Sequence, residues 1–168
     1  MRKILLYSAA MSLFSLFSHA SPLTVGSPAP SVSAPDENDA TVNFDEVYAK
    51  GLTLVYFYPK ADTPGCTKQA CSLRDSFAGL TANGLTILGV SGDSPAGQKK
   101  FKEKYQIPFT LISDSQGKVS GAFGVPSIAS IPARQSFIIK DGKIAWTTPK
   151  AQTADHAAEV QAALDALQ

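Results

Sequence analysis

The sequence predicts an α/β domain with a central mixed sheet flanked by helices. Three observations carry this. An unbroken apolar, β-prone run, Leu52-Thr53-Leu54-Val55-Tyr56-Phe57-Tyr58, stops at Pro59, as a strand buried on both faces does. Apolar strand-like segments alternate with segments of helical spacing along the chain. Near the end, Asp141-Gly142 separates two short apolar stretches, the signal of a two-residue hairpin.

The elements follow in order. Residues 21–40 are rich in Ser, Pro, Ala and Asp and read as an irregular lead-in with short extended pieces such as Ser31 to Ala34. Asn43 caps a short helix over Phe44 to Ala49. After the central strand, helical spacing runs from Pro64 to about Leu80. Leu85 to Val90 is a second strand, Pro95 to Tyr105 an amphipathic helix, Phe109 to Ile112 a third strand, and Lys118 to Phe123 a short helix. Phe137-Ile138-Ile139 and Lys143-Ile144-Ala145-Trp146 form the hairpin, and a last helix opens at Thr153 or Asp155 and runs to Leu167. Strand–helix–strand–helix, then hairpin and helix, is the order of a thioredoxin-like fold, parallel in part and antiparallel at the hairpin.

The N-terminus, residues 1–20, has the pattern of a signal peptide. Met1-Arg2-Lys3 is followed by a mostly apolar run from Ile4 to Phe17 and by Ser18-His19-Ala20, with the cut expected after Ala20. No Cys follows the cut, which argues against a lipoprotein. Cleavage leaves residues 21–168 as one domain and takes the formal charge from +1 to −1. The predicted location is the bacterial periplasm, with no stable membrane association after cleavage. Neither charge favours nucleic acid as a partner. Hydrophobic residues are 44% and charged residues 17% of the chain, a globular balance. Two cysteines and two histidines are too few for a disulfide scaffold and argue against a zinc site. Of the histidines only His156 survives cleavage; its Ala-rich context reads as a solvated helix face. Lys99, Lys100, Lys102 and Lys104 read as a solvated face too.

Chemistry concentrates between the central strand and the first long helix. Thr63 suits the N-cap and Pro64 the first helical position, which puts Cys66 in the first turn. Backbone N–H groups there lack intrahelical partners and the helix dipole favours an anion, so the site suits a thiolate. Cys71 lies five residues on. In a regular helix the two Cα atoms stand about 8–9 Å apart, beyond the ~7 Å that a disulfide spans. The pair is a dithiol in a folded helix or a disulfide in an unwound one. A fixed structural disulfide is the competing reading, and its very short loop makes it a weak staple.

Pro59-x-x-x-Thr63-x-x-Cys66 resembles the active-site signature of peroxiredoxins. Tyr58-Pro59-Lys60 through Thr63-Pro64-Gly65-Cys66-Thr67, with Cys71 following, is similar to the bacterioferritin-comigratory (Q-type) subfamily. Gly89-Val90-Ser91-x-Asp93-Ser94, Pro108-Phe109-x-Leu111-x-Ser113-Asp114 and Arg134-x-x-Phe137-x-Ile139 continue the likeness. It covers roughly residues 25–165. The resemblance implies a thiol-dependent peroxidase acting on hydrogen peroxide and organic hydroperoxides, of the atypical 2-Cys type. Cys66 is then the peroxidatic nucleophile and Cys71 the resolving thiol, the two forming an intramolecular disulfide. Thr63 hydrogen-bonds peroxide and thiolate, Pro59 shapes the pocket, Gly65 lies in the substrate site, and Arg134, from a distant strand, stabilises the thiolate and developing charge. The family's chemistry needs no metal or organic cofactor, takes electrons from a thioredoxin-like dithiol reductant, and often runs in a monomer. Departures are Gln98, where relatives often carry His, Lys140, where an Asp is common, and the linker Pro126 to Pro132. A thioredoxin-like thiol–disulfide exchange protein is the alternative; four residues between the cysteines, where such proteins carry two, argue against it.

Overall fold

The computed structural model describes residues 23–82 and 84–167; the signal segment expected at 1–20 lies outside them. The chain runs β1 (Ser33–Pro35), β2 (Thr41–Asn43), α1 (Phe44–Tyr48), β3 (Thr53–Phe57), α2 (Pro64–Asp75), α3 (Phe77–Thr81), β4 (Thr86–Ser91), α4 (Pro95–Tyr105), β5 (Thr110–Ser113), α5 (Lys118–Ala122), β6 (Ser127–Ile128), β7 (Ile131–Pro132), β8 (Ser136–Lys140), β9 (Lys143–Thr148) and α6 (His156–Asp165). Among the described residues no helix is long and apolar enough to cross a membrane.

Five strands form the main sheet in the order β5-β4-β3-β8-β9. β3 pairs parallel with β4, and β4 with β5. β3 pairs antiparallel with β8, and β8 with β9. This is the mixed sheet that the element order predicts. β3 sits at its centre and every residue of it is buried, which is why its sequence is apolar without alternation. Successive side chains still point to opposite faces. Leu54 and Tyr56 join Leu73 of α2, Phe101 of α4 and Val160 of α6 in one core. Val55 and Phe57 join Phe44 of α1, Val119 of α5 and Phe137 in the other. The Asp141-Gly142 hairpin turn has φ of 52° and 69°, the two left-handed positions of a type I′ turn.

Three elements differ from the sequence reading. The helix expected from Pro64 to Leu80 breaks at Ser76 into α2 and α3. β2 pairs with β1 in a separate two-stranded ribbon; strands this short leave little periodicity to read. The linker 126–132 is itself a tight hairpin, β6 against β7. Its turn residues Ala129 and Ser130 hold φ of 49° and 61°, a conformation that non-glycine residues seldom take. The turn rests on Gly92, where a Cβ would fall 1.9 Å from the Ser130 carbonyl oxygen; only glycine fits beneath it.

Two charged groups are less free than the reading of α4 as a solvated face expects. Lys102 pairs with Glu37, a nearly buried carboxylate that also accepts from the Leu111 N–H at 2.9 Å. Lys104 pairs with Asp62 at 2.8 Å. Lys99 and Lys100 are exposed as expected.

Candidate active site

The site begins where β3 ends. Tyr58 N–H still donates to Val90 at 3.0 Å, and Pro59, which has no N–H, cannot continue the ladder. The loop that follows is pinned from two sides. Ala61 N–H donates to the Asp93 carboxylate at 2.7 Å. Asp62, with φ of 59°, accepts from Lys104 Nζ and from the Tyr105 hydroxyl, the latter at 2.6 Å. These bonds, Lys104 first, hold the Asp62 carboxyl below the usual range.

Thr63 occupies the N-cap position of α2 with extended backbone, and Pro64 follows at the first helical position, as the sequence predicts. Its hydroxyl makes no cap bond; it donates to the Lys60 carbonyl at 2.9 Å and closes the loop instead. The hydroxyl therefore directs its lone pairs, not its proton, away from that carbonyl. The first helical bond runs from Thr67 N–H to Thr63 O, so the preceding N–H groups have no intrahelical acceptor.

Cys66, third residue of α2, is 1% exposed. Arg134 Nη2 lies 3.4 Å from its Sγ. Arg134 belongs not to a strand, as expected, but to the bend just before β8. A strand would commit its backbone and alternate its side chain across the sheet; the bend turns the guanidinium to the end of α2. Its other terminal nitrogen, Nη1, donates to Gln69 Oε1. Gly65 permits this approach, since a Cβ there would lie 3.3 Å from Arg134 Nη2. Thus Cys66, Arg134, Gly65 and the Thr63–Pro64 helix start meet at one place, with Pro59 half-buried at the loop's beginning. A fixed positive charge thus lies against the Cys66 sulfur at the start of α2, where the first N–H groups have no helical acceptor. Both cysteines are free thiols, Cys66 buried and Cys71 half-buried, and both lie within one uninterrupted helix.

Three residues of this network escaped the sequence reading. Gln69 is fully buried and binds Arg134 through its oxygen. Its amide nitrogen faces His156 Nδ1 at 3.2 Å, and His156 Nε2 faces Ser136 Oγ at 3.0 Å. Gln69 lies three residues beyond Cys66, the spacing that shares a helix face, and that was the available signal. Ser136 on β8 offered none. His156 corrects the expectation of a solvated face: it is fully buried, with its ring edge-on to Tyr56. Gln98 is likewise a buried hub, accepting from the Tyr58 hydroxyl and donating to Ser91 Oγ and Ile112 O, both at 2.9 Å. Tyr56 and Tyr58 are core residues and Trp146 packs at the edge of the same cluster. Lys140 sits at the other end of β8 from Ser136, beside the hairpin turn, and donates to Leu167 O there. Among the described residues no group of three or more His, Cys, Asp or Glu side chains is placed to hold a metal ion.

Burial, and then the charge of Arg134, push the His156 ring down from its ordinary 6.5 to about 4. The folded state therefore binds fewer protons than the unfolded chain between those values. Stability from this group is complete above about pH 6.5 and declines as pH falls toward 4, by about 2–3 kcal/mol at pH 4.5. Urea unfolding at pH 7 and pH 4.5 measures it. The non-titrating His156→Asn variant is expected to lose less stability over that interval than the wild type. Equal losses would refute the assignment.

Comparison with known proteins agrees with this geometry. The AhpC/TSA family profile matches residues 25–147. Peroxiredoxin Q of Gentiana triflora chloroplasts is 38% identical over 141 residues, covering 82% of this chain and 62% of that protein. The chain thus spans about three fifths of that plant relative. The putative peroxiredoxin bcp of Coxiella burnetii is 37% identical over 146 residues, covering 82% of this chain and 96% of that one. Among solved structures, the Xanthomonas campestris bacterioferritin comigratory protein, described for its alkyl peroxide reduction activity, superposes with a TM-score of 0.76 at 26% identity, over 86% of this chain and 99% of that chain. The thioredoxin-like fold expected from the element order is the fold of these proteins. The chain belongs to the AhpC/TSA family, among the members named peroxiredoxin Q and bacterioferritin comigratory protein.

Proposed function

We propose that this chain is a thiol-dependent peroxidase of the atypical 2-Cys type. The observation that carries the reading is the buried Cys66 sulfur at a helix start, 3.4 Å from Arg134 Nη2. Cys66 thiolate attacks one peroxide oxygen, the O–O bond breaks, and the other oxygen leaves as hydroxide or alkoxide and takes a proton. Charge moves from sulfur to the leaving oxygen, and Arg134 and the free N–H groups of α2 stabilise it without reorganising. Arg134 stays protonated throughout. Thr63 Oγ1, its proton committed to Lys60, accepts from the peroxide hydroxyl and orients it. Cys71 thiol then attacks the Cys66 sulfenic acid, releasing water and forming the disulfide. A dithiol protein of thioredoxin type returns both sulfurs to thiols.

The N-terminal pattern of residues 1–20 supports export to the periplasm. A mature N-terminus at Ser21 in the periplasmic fraction is the expected finding. A monomer with no stable membrane association is the form proposed there, with an exported thioredoxin-like protein as electron donor.

Stopped-flow mixing of reduced protein with excess hydrogen peroxide or an alkyl hydroperoxide tests the activity. Oxidation of Cys66 orders of magnitude faster than free cysteine is expected, absent in Cys66→Ser. Oxidation at the rate of free cysteine would overturn the reading.

A further inference from the structure

We propose that His156 is a positioning residue for the peroxide step: with Ser136 behind it, it locks the Gln69 amide in the one orientation that holds Arg134 against Cys66. The geometry fixes every proton in this chain. Arg134 has donors only, so the group it meets on Gln69 is the amide oxygen. The Gln69 NH₂ must then point the other way, at His156 Nδ1, 3.2 Å distant. A nitrogen that receives an N–H carries no proton of its own, so the ring is the neutral Nε2–H tautomer. Its Nε2–H donates to Ser136 Oγ at 3.0 Å.

Each link is fully buried: Gln69, Ser136 and His156 are all without exposed surface. Water therefore cannot substitute for a lost partner, and the cost of an unpaired group falls on the network itself. Without an acceptor at His156 Nδ1 the Gln69 NH₂ is left unpaired in a buried place, and Arg134 alone holds the amide against rotation. Rotated by half a turn, it would set donor against donor and push the guanidinium off the sulfur. A 1 Å displacement of a charge-stabilising group is enough to cost a reaction on the order of 10²-fold. Ser136 acts one step further out. By accepting from Nε2 it satisfies the buried N–H of the tautomer that the Gln69 amide sets, as the outer partners of a histidine commonly do.

The rate test rests on the peroxidase reading; the tautomer test does not. Nitrogen NMR of the reduced wild-type protein, ring-labelled at histidine, is expected to show Nδ1 unprotonated and Nε2 bearing hydrogen. The opposite tautomer would overturn the proposal whatever the enzyme's activity. Stopped-flow oxidation of Cys66 by hydrogen peroxide then separates positioning from packing. His156→Leu, which fills the site without an acceptor, is expected to be at least about tenfold slower. His156→Asn, whose Oδ1 stands where Nδ1 was, is expected to stay within about threefold of wild type, and disulfide formation after oxidation should be unchanged in both. Leu and Asn variants that react equally fast would overturn the proposal. Ser136→Ala provides a milder lesion should His156→Leu not fold: a mixed tautomer population and a slower peroxide step are expected, and an unchanged tautomer with an unchanged rate would count against Ser136 and the relay.

Discussion

Replacing Arg134 with Met is expected to slow oxidation of Cys66 by peroxide about 10²–10³-fold, the range seen when one preorganised donor to a developing charge is removed. Arg134 offers two things at once. Nη2 lies 3.4 Å from Sγ, and Nη1 is anchored on Gln69. The planar fork makes the two contacts one rigid unit, so the charge does not have to be oriented when the O–O bond breaks. Arg134→Lys keeps the charge and loses the fork; a single ammonium cannot reach the sulfur and Gln69 with the same geometry. A loss on the order of tenfold is expected for it, between wild type and Met. Both variants leave Gln69 Oε1 poorly paired in a buried place, at about 1–3 kcal/mol, so thermal unfolding of the reduced proteins should accompany the kinetics. Stopped-flow rates against peroxide concentration decide the matter. A Met variant within threefold of wild type, still folded, would remove Arg134 from the chemistry.

The same residue marks the boundary of what sequence alone discloses. Cys66 was legible because its chemistry is local. Thr63 and Pro64 start a helix, and the helix start favours an anion two residues later. β3 was legible because burial on both faces writes an unbroken apolar run. Arg134 comes from a bend 68 residues away, and no spacing connects it to Cys66; only family resemblance pointed there. His156 was misread because its neighbours are alanines. Small side chains signal neither a core face nor a polar one, and what buries His156 is Gln69 on α2 and Ser136 on β8. The 126–132 hairpin was hidden for another reason. Its turn is Ala129-Ser130, without the Gly or Asn that normally announces two left-handed residues. That strain is held by contact with Gly92, a tertiary cause that local sequence does not record. Long-range polar contacts and strained turns are thus the parts that needed a structure.

Forming the Cys66–Cys71 disulfide is expected to unwind the first turns of α2. Both residues sit in one regular helix, where five positions separate their Cα atoms by about 8–9 Å and point their side chains about 140° apart. A disulfide admits no more than ~7 Å and requires the Cβ atoms to face each other. Cys66 points into the core and Cys71 is half-buried on a different side. The backbone between them has to give way, and the segment nearest the N-terminus is the cheaper one to release. Pro64 donates no bond, and Thr63 makes no side-chain cap. Leu73 is held in the core with Val160 of α6, and Ala157 N–H donates to Ser72 Oγ at 3.0 Å, so the C-terminal half of α2 stays docked. Unwinding also takes Cys66 and Gln69 away from Arg134, which dismantles the peroxide site for as long as the disulfide lasts. Hydrogen exchange followed by mass spectrometry, on reduced and peroxide-oxidised protein, is expected to show protection falling about 10²-fold or more across residues 67–71, where the helical bonds begin, with 73–75 and α6 little changed. Cys71→Ser, treated with peroxide, should keep α2 protected while sulfenic acid accumulates on Cys66. Equal protection in the reduced and disulfide forms would mean that the bond closes without unwinding, and the helical geometry of α2 would then be wrong for this pair.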